Sequence, residues 1–192
     1  MPITPTEHIW MNGEMVPWEQ ATTHVLTHTL HYGTGVFEGI RAYETSDGPG
    51  VFRLTEHMER LHASAKIMMM DLPYSVEELV EATKEVVADS GLPSCYIRPI
   101  AYFGYGEMGL NTLPCSVDVS IACWPWGAYL GDGAVTKGVR MKTSSWKRHD
   151  HKRDATVCQD DRQLRELIAG QGGGSQGRLR RGDHVEPGGP GL

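Results

Sequence analysis

SVEELVEATKEVVADSGLPSCYIRPIAYFGY (75–105) is the stretch whose reading decides the fold. Ser75 is a residue type whose hydroxyl can accept from the backbone N–H groups of a first helical turn. Gly91 offers the left-handed stop that closes a helix. Between them the spacing predicts a helix over 76–90. CYIRPIAYFGY (95–105) follows almost at once, rich in β-branched and aromatic residues, and predicts a strand. Toward the C-terminus SVDVSIACWPW (116–126) predicts a second strand. Toward the N-terminus Thr55 is the expected N-cap of a helix through HMERLHASAKIMM (57–69), whose Met58, Leu61, Ala65 and Met68 recur every three or four residues as one buried stripe. GTGVFEGIRAYETSDGPGVFRL (33–54) reads as a short helix and then two strands around a turn at Ser46-Asp47-Gly48. IWMNGEMVPWEQATTHVL (9–26) begins as a hairpin, because Asn12-Gly13 between apolar runs is the strongest local hairpin signal. Helices and hairpins mixed over one sheet give an α+β domain over residues 1–130. LGDGAVTKG (130–138) reads as a Gly-rich connector, and VRMKTSSWKR (139–148) as the first strand of a further unit.

Bulk composition narrows the class. Hydrophobic residues make up 40% and charged residues 22% of the 192, with a net charge of -6, which gives no expectation of nucleic-acid binding. No apolar run approaches the roughly 20 residues that span a bilayer, and the N-terminus shows no signal-peptide pattern. Cys95, Cys115, Cys123 and Cys158 show no paired spacing and read as reduced thiols of a cytoplasmic protein. His149-Asp150-His151 lacks a third ligand and reads as a solvated loop rather than a metal site. Met68-Met69-Met70 reads as core filling. RLRR (178–181) is a small basic patch that acidic neighbours and the acidic chain set against nucleic-acid binding, and Arg181-Gly182-Asp183 reads as accidental.

Arg98 is the residue that chemistry singles out. It sits in an apolar strand between Ile97 and Pro99, where a guanidinium requires an anionic partner. A carboxylate or phosphate ligand would serve. Tyr96, two residues earlier, shares its face. Arg60 and Arg98, each taken alone, read as surface ion-pair residues; the apolar strand is what sets Arg98 apart. Tyr32, Phe37, Trp126 and Tyr129 read individually as core or as ligand wall. Gly33, Gly35 and Gly39 around Phe37 fit a close backbone approach to a ligand, without the pattern of a dinucleotide fingerprint.

GVFEGIR (35–41), HMERLHASAK (57–66), YIRP (96–99) and PWGAYLG (125–131), in this order and spacing, resemble the branched-chain amino acid aminotransferases, members of the fold-type-IV pyridoxal-phosphate enzymes. The resemblance covers nearly all of residues 8–151. It implies the small N-terminal domain of that fold, packed on a larger cofactor domain that begins within 131–151, with pyridoxal 5′-phosphate in the cleft and a homo-oligomeric assembly. It further implies that Arg60 binds the cofactor phosphate and that Arg98 and Tyr96 lie near the substrate carboxylate. Phe37, Tyr32 and Tyr129 would form the apolar wall, with Gly39 beside the substrate. The implied reaction is ping-pong amino transfer between Leu, Ile or Val and 2-oxoglutarate. A D-amino-acid transaminase and an aminodeoxychorismate lyase are related alternatives. YIRP with PWGAYLG fits the branched-chain group better. A non-catalytic remnant is the alternative from a different class.

Residues 152–192 break the pattern. They contain no Phe, Tyr or Trp, although the chain has 3, 7 and 5 of them, and they are crowded with Gly and Arg. The family's Schiff-base lysine is expected soon after SSWKR (144–148), yet KRDATVCQDDRQLRELIAGQ (152–171) does not resemble the family. Degenerate codons for this tail, read one base later, allow NAMPPSAKTTGNYVNSS, which does resemble the family's continuation. The lysine of that string falls in register with Gln159. The expectation is a net one-base frameshift just after His151, a disordered out-of-frame tail, and a chain without the catalytic lysine.

Overall fold

A computed structural model of the chain describes residues 3–126, 134–138 and 143. Strand β1 (His8–Met11) pairs antiparallel with β2 (Glu14–Pro17). Asn12 and Gly13 turn the corner at φ of 51° and 98°, the doubly positive geometry that closes a two-residue hairpin with the native twist. The Asn12 side chain adds a long-range function. Its Nδ2 donates to Asp118 Oδ1 at 3.1 Å and its Oδ1 accepts from the Val119 backbone at 2.8 Å, which ties the hairpin tip to a distant strand.

Helix α1 (His28–Tyr32) ends at Gly33 in the left-handed region. The next residues differ from the expected helix: Gly35–Phe37 is a short strand, β3, paired with β6. All three of its residues are buried, and a three-residue strand between glycines is too short to show a periodicity. Strands β4 (Ile40–Thr45) and β5 (Gly48–Val51) form the second hairpin about Ser46 and Asp47. Helix α2 (Leu54–Ile67) starts earlier than Thr55 predicts. Its N-cap is Arg53 at φ 50°, with no side-chain cap. Only Phe52 and Arg53 separate β5 from α2, so the chain reverses through a left-handed residue and Thr55 falls inside the first turn. Met58, Leu61 and Ala65 form the buried stripe, and Met68 lies just past the helix end against the core. Met70 is core, whereas Met69 is exposed, so the methionine run fills the core only at its ends.

Helix α3 (Val76–Ser90) carries the full capping box: Ser75 Oγ accepts from the Glu78 backbone and Glu78 Oε2 accepts from the Ser75 backbone, and Gly91 closes the helix at φ 62°. Strands β6 (Cys95–Phe103) and β7 (Val117–Trp124) follow as expected. The connector around 130–138 holds one helical turn, α4 (Ala134–Lys137), ended by Gly138 at φ 70°. The strand expected at 139–148 lies outside the described residues apart from Thr143. The described residues up to Trp126 belong to one compact unit and α4 to a second.

The sheet runs β2-β1-β7-β6-β4-β5, every pairing antiparallel, with β3 also on β6. Helices α2 and α3 cover one face and bury Met58, Leu61, Leu79 and Val86 with Ile97, Val119, Ile121 and Cys123. Residues alternate along β6: Ile97, Ala101 and Phe103 belong to this core, and Tyr96, Arg98 and Ile100 face the other side. Strands β3 and β4 lie end to end against β6 in one continuous register, Phe37 opposite Ile100 and Ile40 opposite Ile97. Glu38 and Gly39 therefore stand opposite Pro99 and Arg98. The Glu38 N–H donates to the Pro99 carbonyl at 2.9 Å, and proline has no N–H to complete the pair. This is why two strands appear where the geometry is nearly one.

Cys95, Cys115 and Cys123 are free and buried. Cys158 lies outside the described residues. Among the described residues no helix is long and apolar enough to cross a membrane.

Candidate active site

The face of β6 opposite α2 and α3 gathers the predicted carboxylate-side residues. The Arg98 guanidinium carbon lies 4.5 Å from the Phe37 ring centroid and 5.3 Å from that of Tyr96. Its Nη2 donates to Tyr96 Oη at 2.9 Å. Its Nε is buried and has no hydrogen-bond partner, and no carboxylate among the described residues forms an ion pair with it. A cation between two rings gains from their negative faces, but its unbonded donor is a cost that an anionic ligand would remove.

Gly39 is small for a steric reason. A Cβ there would stand 2.5 Å from Tyr96 Oη, so a side chain would displace the phenol that Arg98 bonds. Tyr96 also stacks on Trp126 at 4.6 Å and meets Trp124 at 5.1 Å, extending the aromatic wall. Trp124 was not singled out from the sequence. Its signal is positional: it lies opposite Tyr96 in the β6–β7 register and so shares the site's face. Its indole Nε1 is buried without a partner.

Arg60 sits on α2. Its Nε donates to Glu38 Oε1 at 2.6 Å and its Nη2 to Oε2 at 2.7 Å, while His57 Nδ1 lies 2.8 Å from Oε2. Glu38 is almost wholly buried, whereas the Arg60 side chain is half exposed. The hydrogen bonds to Glu38 hold the Arg60 guanidinium's pKa above its ordinary value, against the opposing effect of burial. Glu38 and His57 escape a sequence reading because each looks like a surface residue until the fold brings them together.

Tyr32 is placed elsewhere. Its ring meets His28 at 4.5 Å and His31 at 6.4 Å, and no described contact joins it to Arg98. His28 is itself buried, with Nδ1 2.7 Å from Thr34 Oγ1 and Nε2 2.6 Å from the Gly109 carbonyl. Tyr129, the register position Gln159 and the His149–His151 group lie outside the described residues.

A family model for amino-transferase class IV matches residues 35–160, spanning Phe37, Glu38, Arg60 and Arg98. The chain belongs to the class IV aminotransferases. The branched-chain-amino-acid aminotransferase of Pseudomonas aeruginosa is 53% identical over 141 residues, covering 73% of this chain and 46% of that protein. The Escherichia coli K12 enzyme of the same name is 52% identical over 143 residues, covering 74% and 46%. Among solved structures, the branched-chain amino acid aminotransferase of Escherichia coli superposes with a TM-score of 0.82 at 46% identity, over 85% of this chain and 54% of that one. The T.th. branched-chain enzyme with pyridoxamine 5′-phosphate gives 0.83 at 48%, over 90% and 56%. The α+β reading is thus the N-terminal fold of the fold-type-IV aminotransferases. The chain spans about half the length of the curated relatives it matches.

The class implies pyridoxal phosphate, and this chain carries two guanidinium groups suited to anionic ligands. Arg60 Nη1 has no hydrogen bond among the described residues and the side chain is half exposed, as a phosphate requires. Arg98 with its unbonded Nε suits a carboxylate. Lys66 and Lys84, on α2 and α3, belong to the helical layer and not to the Arg98 face.

Proposed function

We propose that Arg60 binds the phosphate of pyridoxal 5′-phosphate, that Arg98 and Tyr96 bind the carboxylate of an amino-acid or 2-oxo-acid substrate, and that the whole protein transfers the amino group between Leu, Ile or Val and 2-oxoglutarate. The observation that carries this reading is the Arg98 guanidinium, held between two rings with a buried, unbonded Nε and no acidic partner among the described residues. The relatives named for branched-chain amino acids support the substrate class.

In this proposal the bound cofactor supplies the electron sink for breaking a bond at the substrate's α-carbon. Arg98 orients the substrate by its carboxylate, and the Tyr96 hydroxyl fixes the guanidinium from the side. Phe37, with Tyr129, provides apolar surface for a branched side chain. Gly39 leaves room beside it. The protein acts in the cytoplasm as a homo-oligomer, without nucleic-acid or membrane partners. Residues 1–130 form its first domain, and 131–151 lead into the cofactor domain.

The composition break after His151 supports the second half of the proposal, a one-base frameshift that leaves Gln159 in the register of the Schiff-base lysine. Leucine and 2-oxoglutarate are then not turned over by the 192-residue chain, whereas a chain with the frame restored from residue 152 is active. A coupled glutamate assay on both proteins tests this. Turnover by the 192-residue chain would overturn the frameshift reading, and an inactive restored chain would favour the non-catalytic remnant.

A further inference from the structure

We infer that Glu38 is a positioning residue that fixes Arg60 for a phosphate monoester, and that this fixation, rather than the positive charge alone, makes Arg60 a phosphate site. The inference rests on the assignment of Arg60 to the cofactor phosphate and deepens it.

Three observations support it. First, both Glu38 oxygens are engaged: Oε1 by Arg60 Nε, and Oε2 by Arg60 Nη2 and His57 Nδ1. This two-point fork removes the guanidinium's rotational freedom and leaves Nη1 without a hydrogen bond among the described residues, open to an outside acceptor. Second, the Glu38 side chain is 1% exposed while that of Arg60 is 50% exposed. A purely structural surface ion pair contributes little, and a buried carboxylate is costly unless fully bonded. Burial of the anchor with exposure of the cation is the arrangement of a preorganised anion receptor. Third, Glu38 is itself fixed. Its N–H is bonded to the Pro99 carbonyl, between Phe37 under Arg98 and Gly39 against Tyr96. One backbone segment thus carries the anchor of Arg60 on one side of the sheet and the bed of Arg98 on the other.

The test uses the full 192-residue chain and two probes, pyridoxal 5′-phosphate and pyridoxal, which differ only in the phosphate. Binding is followed by quenching of tryptophan fluorescence, and the readout is the preference for the phosphorylated probe. Arg60→Met should abolish the preference and Glu38→Gln should lower it about tenfold, the effect of losing a charge-assisted hydrogen bond. Glu38→Gln combined with Arg60→Met should be no worse than Arg60→Met alone. Arg60→Lys keeps the charge on an exposed helical position and cannot take the fork, so it tests the idea without disturbing a buried residue; it should lose most of the preference. A full preference in Arg60→Lys, or in a folded Glu38→Gln protein, would overturn the role of Glu38 while leaving Arg60 as the phosphate residue. No preference in the unsubstituted chain, or an unchanged one in Arg60→Met, would overturn the assignment of Arg60 itself.

Discussion

Gly39 and Tyr96 share one small volume. Gly39→Ala places a Cβ 2.5 Å from Tyr96 Oη, and the expected cost is about 1–3 kcal/mol, typical of overpacking a filled site. Tyr96→Phe removes the oxygen concerned, so the double variant should recover most of that loss even though Tyr96→Phe also deprives Arg98 of its bond. Denaturant melts of the two single variants and the double one measure this, and strictly additive losses would rule out the steric account. Arg98 was legible in the sequence because a guanidinium in an apolar strand demands an explanation. Glu38 was not, since a glutamate between Phe37 and Gly39 looks solvated. Its burial depends on His57 and Arg60, 19 and 22 residues further on, and no local pattern contains that distance.

At the scale of elements, the legible ones carried their own boundary chemistry. Asn12-Gly13 and Ser75 with Gly91 each specify a backbone geometry locally, and each turn or cap formed as read. Ser75→Ala should remove the Oγ acceptor for the Glu78 N–H and lower stability by about 1 kcal/mol, without altering the phosphate preference. Leu61→Ala, on the fully buried stripe of α2, should cost about 2–5 kcal/mol, with thermal unfolding as the check. The elements misread were those whose limits are set from outside. Strand β3 exists because β6 offers it a partner, and α2 starts at Leu54 because the β5 hairpin delivers the chain there.

Across the whole molecule, two tyrosines link the layers to pH. Burial, Glu78 and Asp118 raise the pKa of Tyr74; burial and Asp118 raise that of Tyr102. A raised folded-state pKa favours the neutral phenol in the fold. Its contribution is complete below the ordinary tyrosine value of about 10 and is lost as the pH climbs through the raised value. Stability should therefore fall on the alkaline side of about pH 10, and Tyr102→Phe should flatten that fall. Urea melts at neutral and strongly alkaline pH test the slope, and an unchanged slope in the variant would exclude Tyr102 as its source.

The shared line of β3 and β4 along β6 also determines how this molecule tolerates changes of length. Phe37, Glu38 and Gly39 point alternately to the two sides of the sheet, so substitutions there alter one site at a time. Gaining or losing a single residue would reverse the alternation. The carboxylate would then lie beneath Arg98 and the phenyl ring against Arg60, exchanging the chemistry of the two proposed anion sites at once. Across residues 35–42 a change of residue disturbs one side of the sheet, whereas a change of count disturbs both.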